Sequence, residues 1–314
     1  MGVSRKADEQ ARKRSWLETV YGASRESRGT LHFASAGLRL PSFFVIGPPR
    51  TGTTWLHETL KEHAVLPFPT KETRFFDRHF HRGFDWYLSH FPLVTDERRI
   101  GEIAPTYFAS REAPERIARA VPSSKIVCIF RNPVERVFSL YKLKRAYGLI
   151  PWTFEQAIDH DPEMCESSCY ASRLKEWQRL LGKGQVLVTF FEDLCMSPQA
   201  YLDSLVDFID VPRFRLTTSQ QDRIHASETM TYPNSYQRAR GASTMADWFK
   251  ARRLDRFVAA VRDSPLRKIF FGGGAPFGEV SRETIVRLHQ LFRSEIEELE
   301  SMLNRDLSAW KSVP

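Results

Sequence analysis

The stretch that decides the fold is an apolar run that leads into a glycine-rich turn: Phe43-Phe44-Val45-Ile46-Gly47-Pro48-Pro49-Arg50-Thr51-Gly52-Thr53-Thr54-Trp55. The apolar run predicts a buried strand, and the two glycines have the spacing of a phosphate-binding loop that opens a helix. Backbone N–H groups of such a loop bind phosphate because they are unpaired donors at the positive end of a helix dipole. The position after Gly52, where nucleoside triphosphatases carry lysine, holds Thr53. The cation lies earlier, at Arg50, so the loop predicts a phosphate site without the lysine that bridges the β- and γ-phosphates of ATP.

A second segment, from residue 125 to residue 139, predicts another strand followed by a helix. The five apolar residues Ile126 to Phe130 are typical of a strand that is buried on both faces. Three residues mark the start of the helix: Asn132 can cap it, Pro133 suits its first position, and Glu135 can complete a capping box. Arg131 is therefore predicted to project from the end of the strand.

Arg131 and Ser139, which follows in the second turn of the helix, are predicted to converge on one phosphate. This segment and the glycine-rich loop resemble the two cofactor loops of sulfotransferases, which bind 3′-phosphoadenosine 5′-phosphosulfate (PAPS). The resemblance implies that the first loop holds the 5′-phosphosulfate and that Arg131 and Ser139 bind the 3′-phosphate. A chance match is an alternative for either motif alone, but both motifs occur in one chain and in this order.

A third segment, Lys71-Glu72-Thr73-Arg74-Phe75-Phe76-Asp77, resembles carbohydrate sulfotransferases of the heparan sulfate type. In these enzymes a glutamate just ahead of Phe-Phe-Asp acts as general base, so the resemblance implies this role for Glu72. Arg50 is expected to be the catalytic cation that neutralises the phosphosulfate. Glu102 is the next candidate base, and a solvated Glu72 beside Lys71 is the alternative interpretation.

The chain departs from the family's pattern at two places. Where the heparan-type pattern has a lysine after the glutamate of the second acidic segment, this chain has Ile103, and Lys71 or Arg74 is expected to substitute for it. The family's lysine-glycine loop over the 3′-phosphate aligns with Gly273-Gly274, whose backbone amides are predicted to bind that phosphate. Trp55 resembles the tryptophan that stacks on adenine in cytosolic small-molecule sulfotransferases, with core packing as the alternative.

The resemblance covers roughly residues 43–208 and implies the sulfotransferase fold, an α/β fold with a P-loop-like, mainly parallel sheet flanked by helices. The pattern of the chain agrees, because strand candidates such as 185–190 alternate with amphipathic helices such as 170–181. Residues 1–40 are predicted to form a basic N-terminal extension and residues 41–314 a single sulfotransferase domain. The residues predicted to bind the cofactor are Arg50, Thr51, Gly52, Thr53, Thr54, Trp55, Arg131, Ser139, Gly273 and Gly274.

The composition of the 314 residues is that of an ordinary globular protein, with 42% hydrophobic and 27% charged residues. An anionic cofactor explains the formal net charge of +8, so no nucleic-acid partner is predicted. Four cysteines, including Cys165 and Cys169 at helical spacing without a second ligand pair, predict neither a disulfide framework nor a metal site. No apolar run predicts a membrane span or a signal peptide, so we expect a cytoplasmic protein.

These features together predict a PAPS-dependent O-sulfotransferase that releases 3′-phosphoadenosine 5′-phosphate (PAP) and uses no metal. The expected acceptor is a hydroxyl of a carbohydrate, glycoconjugate or small molecule. A P-loop kinase or nucleoside triphosphatase is a second hypothesis, opposed by Thr53 and Arg131, although Glu192-Asp193 could imitate a metal-binding acidic pair. A non-catalytic nucleotide- or polyanion-binding protein of the same fold is a third, opposed by Glu72 and Arg50.

Overall fold

The computed structural model describes residues 39–92, 98–222, 230–252, 254, 257–258, 260–261, 264 and 270–312. Its strands are β1 (Phe43–Val45), β2 (Gly101–Ile103), β3 (Lys125–Phe130), β4 (Val186–Phe190), β5 (Thr231–Pro233) and β6 (Gly273–Pro276). Its helices are α1 (Thr53–Leu60), α2 (Gly83–Leu88), α3 (Ala113–Ala120), α4 (Pro133–Ala146), α5 (Phe154–His160), α6 (Glu163–Glu166), α7 (Tyr170–Leu181), α8 (Phe191–Met196), α9 (Pro198–Phe208), α10 (Thr218–Asp222), α11 (Tyr236–Ala251) and α12 (Arg282–Leu303). Residues 1–38 of the predicted basic extension lie outside the described residues.

Four parallel strands form the central sheet, in the order β2, β1, β3, β4. The predicted α/β architecture with a parallel sheet flanked by helices is therefore confirmed. The two strands recognised from their apolar runs, β1 and β3, are neighbours in the middle of the sheet. Because both run in the same direction, the segments that follow them lie at one edge, the carboxyl ends of the strands.

Helices cover both faces of the sheet, and alternate residues of a strand point to opposite faces. Phe44 and Cys128 face the side on which α4, α7 and α12 pack. Phe43 and Val127 face the side on which α1 and α9 pack. Burial raises the pKa of the Cys128 thiol, in agreement with its predicted role as a small buried hydrophobe. The two-sided core holds the strand ends, and the loops that start from them, in fixed positions.

The start of α4 differs from the prediction in one respect. Asn132 caps the helix as expected, since its side-chain oxygen accepts a hydrogen bond of 3.0 Å from the Val134 amide. The predicted capping box is wrong, because the Asn132 amide donates instead to Glu192 Oε1 at 2.9 Å. Glu135 turns to Arg131, whose Nη2 lies 2.7 Å from its carboxylate. A partner distant in the sequence has replaced the local one.

A small antiparallel pair of strands, β5 and β6, lies apart from the main sheet and packs beside α4. The rings of Tyr232 and Phe277 lie 4.0 Å apart at this strand pair, and the Tyr232 hydroxyl lies 3.4 Å from that of Tyr141 in α4. Among the described helices, none is both long and apolar enough to cross a membrane.

Candidate active site

The loop between β1 and α1 has the backbone of a phosphate-binding turn. Gly47 passes so close to β3 that an added Cβ would lie 2.2 Å from the Ile129 amide nitrogen, so only glycine fits. Thr51 is fully buried, and its hydroxyl closes the turn by donating to the Pro48 carbonyl at 2.8 Å. Gly52 caps the helix in the left-handed region, at φ 91°. The amides of the first turn of α1 consequently face the carboxyl edge of the sheet.

Arg50 is the central cation of this edge. Its Nε donates to Ser139 Oγ at 3.0 Å, and its Nη2 lies 3.8 Å from the Met230 sulfur. Burial and the nearby charge of Arg131 lower the pKa of Arg50 to about 10. Within the described part of the chain, no carboxylate forms an ion pair or hydrogen bond with Arg50. A partly buried guanidinium without a carboxylate partner favours an anionic ligand.

Arg131 lies at the end of β3, as predicted, and close enough to Arg50 to affect its pKa. Its guanidinium pairs with Glu135 and lies 4.7 Å from the centre of the Phe191 ring. Its carbonyl accepts a hydrogen bond of 2.9 Å from the Tyr170 hydroxyl, which holds the backbone at the strand end. Arg50, Arg131 and the Ser139 hydroxyl therefore lie together at the edge of the sheet. The hydrogen bond to Ser139 comes from Arg50 and not from Arg131.

The segment that carries Glu72 lies next to α1. Lys71 Nζ donates to Thr54 Oγ1 at 3.1 Å and lies 3.5 Å from Glu72 Oε1, so one ammonium group links the predicted base to the phosphate loop. The Glu72 side chain is 27% exposed, which leaves room for an acceptor group. Of the two predicted substitutes for the cation absent at Ile103, Lys71 lies at the loop, whereas Arg74 pairs with Asp77 at 2.9 Å.

Glu102, the second candidate base, does not face the loop. It is fully buried in β2, and both of its carboxylate oxygens accept hydrogen bonds from neighbouring side chains and from the Thr73 amide. Burial raises the pKa of this carboxyl to about 7. No acceptor molecule could reach its oxygens, so the structure contradicts a role for Glu102 as the base.

The remaining predicted cofactor residues lie in two places. Trp55 is 7% exposed and packs in the core beside Phe43, and its indole N–H donates to the Gln220 carbonyl at 2.6 Å. Adenine stacking on Trp55 stays a prediction. The Gly273 amide, in β6, donates to Thr231 Oγ1 at 3.0 Å and is not available to a phosphate in this arrangement. Phosphate binding by the Gly274 amide also stays a prediction.

The structure shows two further features of the edge, and the first of them was not recognised in the sequence. Arg136 is fully buried one turn before Ser139, and donates to Ser168 Oγ and the Met164 carbonyl, both at 2.6 Å, and to the Pro49 carbonyl at 3.5 Å. Its spacing of three residues from Ser139 on one helix is the signal that could have indicated it. Glu192-Asp193 is not a free acidic pair, because Glu192 accepts from the Asn132 amide and Asp193 forms a two-bond pair with Arg305.

The chain matches the sequence pattern of the sulfotransferase domain over residues 40–249. It is similar to the human bifunctional heparan sulfate N-deacetylase/N-sulfotransferase 2, with 31% identity over 199 residues that make up 56% of this chain and 22% of that protein. The human bifunctional heparan sulfate N-deacetylase/N-sulfotransferase 3 is 31% identical over 196 residues, 55% of this chain and 22% of that protein. The chain thus spans about a fifth of the length of these curated relatives.

A solved structure supports the fold. The crystal structure of a sulfotransferase from Alicyclobacillus acidocaldarius is similar to this chain with a TM-score of 0.62 at 20% identity, over 87% of this chain and 100% of that one. Because the sulfotransferase domain pattern matches residues 40–249, more than half of the 314 residues, the protein belongs to the sulfotransferase family of enzymes.

Proposed function

We propose that this sulfotransferase uses PAPS and transfers its sulfuryl group to a hydroxyl of a carbohydrate, glycoconjugate or small molecule. The observation that carries the proposal is the Arg50 guanidinium, which is partly buried just ahead of the N-terminus of α1 and bonded to Ser139. Arg131 adds a second positive charge at the same edge. These groups fit a nucleotide with anionic groups at both the 5′ and the 3′ position, because two neighbouring cations repel each other until anions lie between them.

The side chains at this edge can support the transfer chemistry. PAPS supplies the sulfuryl group, and the acceptor must lose a proton as it attacks. Glu72 is the proposed base, because its carboxylate is partly exposed and is linked to the loop through Lys71. Arg50, Lys71 and the amides of α1 neutralise the negative charge that builds up on the leaving phosphate. This assignment makes Lys71 the replacement for the cation absent at Ile103.

An amine acceptor is the second candidate, since the matched relatives are named N-sulfotransferases. The same base could take a proton from an amine. Oligosaccharides with free amino groups and their N-acetylated counterparts, each incubated with PAPS, would separate the two. Mass spectrometry that locates the sulfate on nitrogen alone would reject the hydroxyl proposal and leave sulfuryl transfer intact. The cytoplasmic location stays a prediction.

Calorimetry with PAP and ATP tests the cofactor assignment. We expect PAP to bind at least about tenfold more tightly, because a charge-assisted contact to the 3′-phosphate contributes about 1.5–3 kcal/mol. Arg131→Ala should reduce this preference, whereas Arg119→Ala, which removes an exposed arginine of α3, should not. Equal affinity for the two nucleotides would reject the proposal. Turnover that is lost in EDTA and restored by Mg²⁺ would favour a nucleoside triphosphatase instead.

A further inference from the structure

A buried carboxylate lies directly behind the segment that carries the proposed base. Glu102 Oε1 accepts hydrogen bonds from the Thr73 amide at 2.8 Å and from the Thr73 hydroxyl at 2.6 Å. Its Oε2 accepts from the hydroxyls of Tyr87 at 2.9 Å and Tyr107 at 3.2 Å. All four donors are neutral, and the side chains of Thr73, Tyr87, Tyr107 and Glu102 are buried. We call these four residues the Glu102 network.

The network reaches further along the chain than Thr73. The Phe75 amide donates to Thr73 Oγ1 at 3.1 Å, and the Phe76 amide lies 3.3 Å from the Tyr107 hydroxyl. The backbone immediately after Glu72 is thus held at three nearby positions by groups that depend on one carboxylate. The Glu72 side chain itself is not part of the network and is partly exposed.

The carboxylate also lies on β2, the neighbour of the strand that leads into the phosphate loop. Glu102 is paired with Phe44 in the register of β2 and β1, and β1 leads into the loop that carries Arg50. The segment with the proposed base and the loop with the cation are consequently attached to neighbouring strands of one sheet. Displacement reactions depend steeply on such geometry, since a misplacement of about 1 Å can reduce the rate about 100-fold.

A buried carboxylate that joins a loop to a sheet carries a free-energy cost. Removing a charge from water costs several kcal/mol, and the neutral donors around Glu102 only partly offset that cost, so burial raises the pKa of the group. A neutral side chain could fill the same volume without this penalty. A carboxylate, however, can accept four hydrogen bonds at once in a fixed arrangement, which a neutral amide cannot.

We propose that Glu102 is a positioning residue for this sulfotransferase, which fixes the backbone at Thr73 and so holds the neighbouring Glu72 at the phosphate loop. This inference rests on the proposed role of Glu72 as base. It assigns the second acidic residue a task that requires no contact with substrate, in contrast to its sequence-based interpretation as a base.

The test is a double-mutant cycle between the two glutamates. Glu102→Gln keeps the shape and loses two acceptor sites, so we expect kcat to fall by about 10- to 100-fold while the affinity for PAP stays unchanged. In the Glu72→Gln background, the same substitution should cause no further loss, because there is no base left to position. Glu115→Gln, at an exposed site of α3, is the surface control.

A second pair of variants keeps the proposal testable if Glu102→Gln does not fold. Thr73→Val removes the hydroxyl donor at nearly constant volume and should lower kcat, and Thr73→Ser, which restores the donor, should recover most of the loss. Wild-type kcat in Glu102→Gln or Thr73→Val, or losses that add in the double variant, would overturn the proposal. If the wild type binds PAP and the Glu72→Gln variant turns over at the wild-type rate, the proposed base is rejected instead.

Discussion

The carboxyl edge of the main sheet and the β5–β6 strand pair both carry residues that are predicted to bind the cofactor, but they are held in different ways. At the sheet edge, Arg50 lies in the loop after β1 and Arg131 directly follows β3, both strands are buried, and Arg50 has no carboxylate partner in the described part of the chain. In the β5–β6 strand pair, polar groups satisfy one another: the Gly273 amide donates to the Thr231 side-chain hydroxyl, and the Asn234 backbone amide donates to the Gly272 carbonyl. A preorganised cation such as Arg50 is ready for an anion, whereas the β5–β6 strand pair would have to exchange its own hydrogen bonds first.

The comparison predicts that substitutions on the side of the main sheet, which we call the sheet side, reduce turnover most. The largest reduction is expected at Glu72. Glu72→Gln keeps the shape and removes the basicity, so kcat should fall by about 10²–10⁴-fold while the affinity for PAP stays nearly constant. Steady-state kinetics and calorimetry measure the two quantities. Glu58→Gln, a half-exposed glutamate on α1, is the matched control. Full activity of Glu72→Gln would remove this residue from the mechanism.

Removal of the Arg50 charge should affect binding and turnover together. Arg50 meets the phosphosulfate in the ground state and in the transition state, so Arg50→Ala should lower kcat/KM by about 10²–10³-fold and also weaken PAP binding. Arg50 has a φ of 81°, where a residue with a Cβ is strained. Arg50→Gly should therefore lose the same activity and yet unfold at a higher temperature than Arg50→Ala. Unchanged PAP affinity in both variants would contradict the placement of Arg50 at the cofactor.

The sheet side was predictable from the sequence because its signals are local. The apolar run before Gly47 and the five apolar residues before Arg131 identify two strands, and parallel strands place the following segments at one edge. β2 consists of Gly101, Glu102 and Ile103 and so has no apolar run like that of β1, and the burial of Glu102 could not be inferred. The partner of the Asn132 amide, Glu192, lies 60 positions away, and only the folded chain brings the two together.

The sheet side should also respond to pH through Glu102. Its raised pKa of about 7, against 4.5 for the free group, means that the folded state holds this proton more tightly, so the contribution to the free energy of unfolding falls as pH rises from about 4.5 to 7. Between pH 5 and pH 8, the free energy of unfolding of the wild type should therefore fall by about 2–3 kcal/mol relative to that of Glu102→Gln. Urea unfolding at the two pH values measures it.

The comparison with Glu102→Gln is needed because the titration of His57 changes the stability with pH in the opposite direction. Burial lowers the pKa of His57 to about 4, so its contribution to stability is lost as pH falls from about 6.5 toward 4. His57 is present in both proteins, and its effect cancels in the difference. A wild-type and a Glu102→Gln protein whose stabilities run parallel from pH 5 to pH 8 would show that Glu102 does not titrate in this range.

The smallest effect is expected at the β5–β6 strand pair, and it tests the distinction between the two regions directly. Gly273 has a φ of 79°, and an added Cβ would lie 2.6 Å from Asn234 Nδ2, so Gly273→Ala should destabilise the fold by about 1–2 kcal/mol and lower Tm by about 2–4 °C. Gly278→Ala is the control, because nothing lies within 4 Å of the added Cβ there. Since the Gly273 amide is bonded within the β5–β6 strand pair, kcat and PAP affinity should stay close to wild type. A loss of PAP affinity as large as that of Arg131→Ala would place the strand pair in the cofactor site, as the family's lysine-glycine loop implies, and the pair would then have to open its own hydrogen bonds to bind the 3′-phosphate.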